Sequence, residues 1–264
     1  MDRWRGKWAL VTGASAGIGL EFARLLAAGG TNLVLTARRQ DRLEKIAQEL
    51  ASKHGIRAEI VAADLGTADA PGNISRFTSE RKIDVELLVN NAGFGVYGEF
   101  GKSVLNAELE MVRVNCSAVV HLTHLYLQPM ITRRHGDILI VASIAGFQAV
   151  PFFSIYAATK GFDLLFAEGL AHEVRPYGIH VCALCPGSTD SEFHAVAGTP
   201  QRSFKAQETS QKVAGVGLQA VAKGKSYIIS GAKNYLLIHG QRLSPRSLVT
   251  RIGAAMYRPE TNRK

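Results

Sequence analysis

Trp8-Ala9-Leu10-Val11-Thr12-Gly13-Ala14-Ser15-Ala16-Gly17-Ile18-Gly19 is a five-residue apolar run followed by a glycine-rich turn. An amphipathic helical pattern then covers 18–28 and closes on Gly29-Gly30. A strand that feeds a glycine turn and then a helix lets backbone approach a pyrophosphate, whose charge is met by unpaired N–H groups at the helix start. Glycines alone are a weak signal. Their weight here comes from their place, after the first strand of a chain that goes on alternating.

Short apolar runs recur at 32–36, 58–62, 87–90, 137–142, 180–184 and 226–229, and none alternates with polar residues. Helical patterns at 41–52, 107–134 and 154–175 lie between them. The expectation is a single α/β domain: a doubly wound, Rossmann-like, seven-stranded parallel sheet with helices on both faces. The domain is expected over 1–231, with an amphipathic tail over 232–264 interrupted at Pro245.

With 264 residues and 47% hydrophobic content, the chain can bury a large core. Its net charge of +9 raises nucleic acid, a phosphorylated cofactor and an acidic lipid surface as partners. No basic run is interleaved with aromatics, so nucleic acid is not expected, although that reading would predict salt-sensitive retention on DNA. Cys116, Cys182 and Cys185 cannot make a disulfide framework and suit a reducing, cytoplasmic setting. Cys182 and Cys185, three apart in a strand-like run, should point to opposite faces rather than form a redox pair. The first strand begins so early that no signal peptide is expected, and no apolar run is long enough to span a membrane. His121 and His124 have no third ligand at matching spacing, so no metal is expected and they read as core or interface residues.

Further motifs stand in order along the chain. The first turn is spaced G-x-x-x-G-x-G; Asn90-Asn91-Ala92-Gly93 ends the fourth strand; Asn115 lies in the next helical pattern; Ser143 follows the fifth strand. Tyr156-Ala157-Ala158-Thr159-Lys160 begins thirteen residues later, and Pro186-Gly187 follows the sixth strand. Together these resemble the short-chain dehydrogenase/reductase family over nearly the whole chain. The resemblance implies hydride transfer between a nicotinamide dinucleotide and a carbonyl or alcohol.

Four residues apart on a helix, Tyr156 and Lys160 share a face. A phenol of ordinary pKa about 10 shuttles protons poorly at neutral pH, and a nearby ammonium favours its phenolate. The resemblance makes Tyr156 the general acid in reduction and base in oxidation, with Lys160 also holding the nicotinamide ribose. Ser143 would donate to the reacting oxygen, and Asn115 would support a water leading protons to the lysine.

For the cofactor, the resemblance implies contacts from Gly13, Ser15, Gly17, Ile18 and Gly19, from Asn91, Ala92 and Gly93, from Pro186 and Gly187, and from the Asp64-Leu65 pair about the adenine. Ser191 stands where relatives carry threonine, with Thr189 two before it. Family members that prefer NAD have Asp where this chain has Ala37, and Arg38 follows. A missing carboxylate and an added guanidinium favour NADP(H). Ala16 departs from the basic residue that many NADP-preferring relatives carry.

The resemblance places the substrate region at 93–100, 145–153 and about 192–216, where Phe94, Val96, Tyr97, Phe147, Val150, Phe152 and Phe153 would make an apolar lining. An apolar ketone or aldehyde is the expected substrate. The tail lacks the glycine-rich ending of many tetrameric relatives, and could cover a neighbour, close the pocket or make peripheral contact with an anionic membrane. A homodimer or homotetramer is expected. The alternative is an NADP(H)-binding regulator or scaffold with little turnover, which would have no need of Ser143, Tyr156, Lys160 and Asn115 together.

Overall fold

The computed structural model describes residues 2–199 and 207–259. Residues 200–206 of the expected substrate segment and 260–264 of the tail lie outside the described residues. Seven strands form one parallel sheet: β1 (Trp8–Thr12), β2 (Asn32–Ala37), β3 (Ala58–Ala62), β4 (Val85–Asn90), β5 (Gly136–Val141), β6 (Ile179–Cys185) and, after two short strands, β9 (Tyr227–Ile229). Their order is β3-β2-β1-β4-β5-β6-β9. The order reverses between β1 and β4, so a crevice opens at their carboxyl ends, where open α/β sheets take ligands. The short strands β7 (Thr189–Asp190) and β8 (Glu208–Thr209) pair with each other.

The absence of alternation in the strands has its cause here, because each strand side chain meets helices on one face or the other. Leu10, Ile138 and Val181 pack with α3 (Ala70–Glu80), α5 (Ala118–Arg133) and α6 (Ser154–Val174). Ala9, Val11, Leu139 and Cys182 pack with α1 (Gly17–Ala28), α2 (Gln40–His54) and α8 (Ser210–Ala222). Cys182 lies in one layer and Cys185 in the other, as strand geometry requires. Burial pushes the Cys182 thiol up to about 12 and Cys185 further, so both remain neutral core groups. Each large side chain buried this way, such as Phe22 or Leu26, stabilises the fold by roughly 1.5–3 kcal/mol.

Some readings are refined or corrected by the structure. The stretch 107–134 is helical as expected, but it is interrupted: α4 (Leu105–Val112) and α5 are joined by a π-helical turn, Arg113–Ser117. The segment 192–216 is not all substrate loop, because α8 begins at Ser210 and puts Val213 and Ala214 into the core. No helix was expected at α3; of the two readings of His121 and His124, the core is excluded, because both are exposed. The tail forms α9 (Ala232–Gly240) and α10 (Arg246–Tyr257), with Pro245 as the residue before the second helix.

Candidate active site

At the carboxyl end of β1, Gly13 adopts φ +65°, and α1 starts at Gly17 with no side chain capping its free N–H groups. A Cβ on Gly19 would collide with the Gly13 carbonyl and the Asn91 amide, so the turn tolerates no side chain there. Thr12 Oγ1 accepts from the N–H groups of Asn91 and Ala92, both at 2.9 Å, and Asn91 Nδ2 donates to Thr12 O at 2.8 Å. These bonds lock the ends of β1 and β4 together beneath a cleft of about 430 Å3.

Every residue that the sequence assigned to a cofactor lines this cleft: the glycine turn with Ser15 and Ile18, Arg38, Asp64, Leu65, Asn91 to Gly93, Tyr156, Lys160, Pro186, Gly187, Thr189 and Ser191. Bare helix N–H groups, a glycine floor and a basic rim fit a dinucleotide phosphate. Among the described residues, no cluster of three or more metal-ligating side chains occurs.

Ser143, Tyr156 and Lys160 meet at the inner end. Ser143 follows β5, accepts from Ala145 N at 3.1 Å, and its hydroxyl lies beside the Tyr156 phenol, close enough to favour the phenolate. Tyr156 and Lys160 sit one turn apart on α6. Burial pushes the phenol up, whereas the Lys160 ammonium and the Ser143 hydroxyl pull it down. Gly93 leaves the room this grouping needs, since a Cβ there would stand 3.1 Å from Asn115 Oδ1 and 3.4 Å from Lys160 Nζ.

Asn115 stands behind the cleft wall rather than on it, fully buried in the π turn. Its Oδ1 accepts from Phe94 N at 3.1 Å, and its Nδ2 donates to Phe94 O at 2.9 Å and Thr159 Oγ1 at 3.0 Å. The extra residue of a π turn rotates a side chain out of helical register, and here it staples the β4 loop to α6.

Two participants were not foreseen. Lys160 Nζ donates to Asp163 Oδ2 at 2.9 Å and to Val141 O at 2.7 Å. Asp163 is fully buried and its other oxygen, Oδ1, has no partner. Burial lowers the affinity of Lys160 for its proton, and the Asp163 charge more than restores it, so the lysine is held as ammonium. An acidic residue three after Lys160, within the apolar run Gly161 to Phe166, was the available signal.

The second is Arg39. Arg38 projects from the rim with its side chain 67% exposed, 3.8 Å from Glu110. Arg39 instead folds over the glycine turn, donating to Ser15 Oγ at 3.0 Å and to Glu192 Oε2 at 2.9 Å. Arg42 takes the other Glu192 oxygen at 2.8 Å. These two guanidinium groups hold the Glu192 carboxyl below its usual range. Only the tertiary fold brings Arg39 and Glu192, 153 residues apart, together.

The outer part of the cleft is apolar, though not with the expected composition. Phe94, Val150 and Phe153 line it; Tyr97 packs behind Phe153, with ring centroids 5.2 Å apart. Val96, Phe147 and Phe152 do not line it, and Phe147 packs on Tyr227 instead. Phe193 and Val196, from the stretch around α7 (Phe193–Ala197), and Tyr257 at the end of α10 complete the wall.

A family model described as short chain dehydrogenase matches residues 7–201. The chain belongs to this family. Among its curated relatives, the very-long-chain 3-oxoacyl-CoA reductase of Phaeosphaeria nodorum is 36% identical over 185 residues, covering 67% of this chain and 53% of that protein. Very-long-chain 3-oxoacyl-CoA reductase-B of Danio rerio is 32% identical over 229 residues, covering 83% of this chain and 71% of that one. The chain therefore spans about half the length of the fungal relative. Among solved structures, a short-chain dehydrogenase from Sphingobium yanoikuyae in complex with NADPH superposes with TM-score 0.82 at 28% identity, covering 92% of this chain and 94% of that one.

Proposed function

We propose that this short-chain dehydrogenase is an NADP(H)-dependent reductase of an apolar ketone or aldehyde, with long-chain 3-oxoacyl thioesters as the leading substrate class. The observation that carries the proposal is the convergence of Ser143, Tyr156 and Lys160 at the inner end of one cleft, beneath an apolar outer wall. When bound, the nicotinamide cofactor would supply the hydride. Ser143 would hold the carbonyl oxygen, Tyr156 would deliver the proton to it, and Lys160 would keep the phenol acidic enough to do so. Phe94, Val150, Phe153, Phe193 and Tyr257 would exclude water from the reacting carbon.

Support for NADP(H) comes from Arg38 and Arg39 beside Ala37, a position at which no carboxylate stands to bond the adenosine ribose hydroxyls. The Sphingobium enzyme's NADPH and the names of the curated relatives agree with the cofactor and substrate readings. The neighbouring helices α4 and α6 expose Leu105, Leu109, Phe162 and Leu165, which favours a homodimer or homotetramer. The unpaired thiols of Cys116, Cys182 and Cys185 favour a cytoplasmic setting.

NADPH oxidation measured against 3-oxoacyl thioesters of increasing chain length, apolar ketones and small sugars tests the reading. Turnover should rise with apolar length, and Tyr156→Phe should lower it by roughly 10²–10⁴-fold while NADPH affinity stays within about twofold. Preference for sugars would overturn the substrate class. Comparable turnover in Tyr156→Phe would overturn the chemistry, and NADPH binding with no turnover of any carbonyl would favour the regulator or scaffold.

A further inference from the structure

Residues 232–264 carry seven basic side chains and one acidic one, which is two thirds of the net charge of the chain. No acidic residue occurs between 232 and 259. The same stretch holds seven of the exposed large hydrophobic side chains among the described residues, with Leu243 at 92% exposure and Leu236 at 69%. A soluble surface normally disperses such side chains, and their concentration beside Lys233, Arg242, Arg246, Arg251 and Arg258, none of which has an acidic partner among the described residues, marks a contact surface.

α10 has two apolar faces, and one of them is already used. Tyr97 Oη donates to the Tyr257 carbonyl at 2.8 Å, and the Tyr257 ring meets Phe153 edge-on with centroids 5.7 Å apart. Gly253, one turn earlier, backs onto Pro151. This inner face closes the outer part of the cleft.

The second face points away from the domain. Turning about 100° per residue, the helix brings Leu248, Ile252, Ala255 and Met256 into one exposed stripe, and puts Arg251 and Arg258 along its edge. An apolar stripe bordered by arginines on a helix of about 18 Å is the pattern by which helices lie in the headgroup region of an anionic bilayer. No helix among the described residues is long and apolar enough to cross a membrane.

We propose that the outer face of α10, with Leu243 and the exposed leucines of α9, docks this protein on an anionic membrane surface and sets the mouth of the cleft against the lipid. The charge decides between a membrane and a second copy of the chain. Two copies joined through this face would bring arginine edges together, with no acidic partner anywhere from 232 to 259, whereas acidic headgroups supply that partner. The purpose of the docking, entry of an apolar substrate from the bilayer beside Tyr257, rests on the substrate reading above.

The test is co-sedimentation of the full chain with vesicles of phosphatidylcholine alone and of phosphatidylcholine with about 30% phosphatidylserine, alongside light scattering and NADPH turnover of a short soluble ketone. The parent should sediment with the acidic vesicles, bind the neutral ones weakly, and be released by about 0.5 M salt. The triple variant Leu248→Ser, Ile252→Ser, Met256→Ser should bind roughly tenfold less and keep the parent's vesicle-free turnover, since none of these side chains faces the cleft. Failure of the parent to bind acidic vesicles would overturn the proposal, as would undiminished binding by the triple variant. So would a dimer of the parent that the triple variant turns into monomer, which would identify a second copy as the occupant. Failure of the reductase reading would show separately, as absent turnover without vesicles.

Discussion

Asp137 and Asp163 are both fully buried carboxylates beside β5 and β6, yet they stand at opposite ends of the sheet with opposite degrees of satisfaction. Asp137, at the amino end of β5, accepts from Arg3 Nε at 2.7 Å, Arg3 Nη2 at 2.9 Å and Trp4 Nε1 at 2.7 Å, and His180 Nδ1 lies 3.1 Å away. Its shell is full, and it ties the start of the chain, with the buried Trp4 ring, to two central strands. Asp163, at the carboxyl end, holds one lysine and leaves Oδ1 without a partner. A buried charge with every lone pair engaged contributes to the fold, whereas an incomplete shell beside a cleft is tolerated where it tunes a reacting group.

The largest expected effect lies at the satisfied end. Asp137→Asn removes the charge that Arg3 and Trp4 converge on, and leaves a buried donor facing donors. The expected cost is about 2–4 kcal/mol, or a fall in melting temperature of roughly 5–10 °C. Thermal unfolding checks it, and turnover per folded molecule should stay at the parent value. A large loss of turnover without loss of stability would break the division between the two ends.

At the unsatisfied end, Asp163→Asn should lower turnover by roughly 10–100-fold, and its diagnostic reading is the pH profile. Burial drives Lys160 toward its neutral form, and Asp163 opposes this; Lys160 in turn pulls the Tyr156 phenol down, more strongly than the Asp163 charge pushes it up. Without the carboxylate the lysine gives up its proton more readily, and the phenol rises. Oxidation needs the phenolate, so its rate grows as pH climbs through the phenol pKa, and that limb should move to higher pH in the variant. Cys116 faces the same pair, but burial pushes its thiol up to about 11 and leaves it neutral. A limb displaced to lower pH would mean that the direct push of Asp163 on the phenol outweighs its action through Lys160, and would remove its assignment as the group that positions Lys160.

The two ends also differ in how legible they were. The crevice end was readable because its chemistry is local: Gly13 to Gly19 is one turn, Tyr156 and Lys160 share one helix face, and the opposite orientation of Cys182 and Cys185 follows from strand geometry. Arg3 with Asp137, and Arg39 with Glu192, pair across 134 and 153 residues and have no local signature. α8 had a signature, with Val213, Ala214, Gly217, Leu218 and Val221 at helical spacing, but expecting a substrate loop there masked it. α3 carries Pro71 and Gly72 in its first turn, which weaken a helical pattern in the sequence although proline fits the first turn of a helix. The inward turn of Asn115 depends on a π turn, which single-sequence periodicity does not register.

The smallest expected effect refines the crevice end, where Glu192 crosses from the substrate side to the cofactor rim. Its two oxygens engage Arg39 and Arg42, which are the groups a 2′-phosphate would seek. The carboxylate would thus act on an NADPH phosphate in two ways, by occupying the donors and by repelling the charge. All three side chains are solvent-exposed in part, so each pair is weak. Glu192→Gln should tighten NADPH binding by roughly 3–10-fold, because the arginines are freed and a like charge is removed. NADH has no phosphate at that position, so its affinity should stay at the parent value. Titration calorimetry with both nucleotides separates the cases: equal tightening would show that Glu192 restrains the mouth of the cleft, and weaker NADPH binding would show that it holds Arg39 in place for the phosphate.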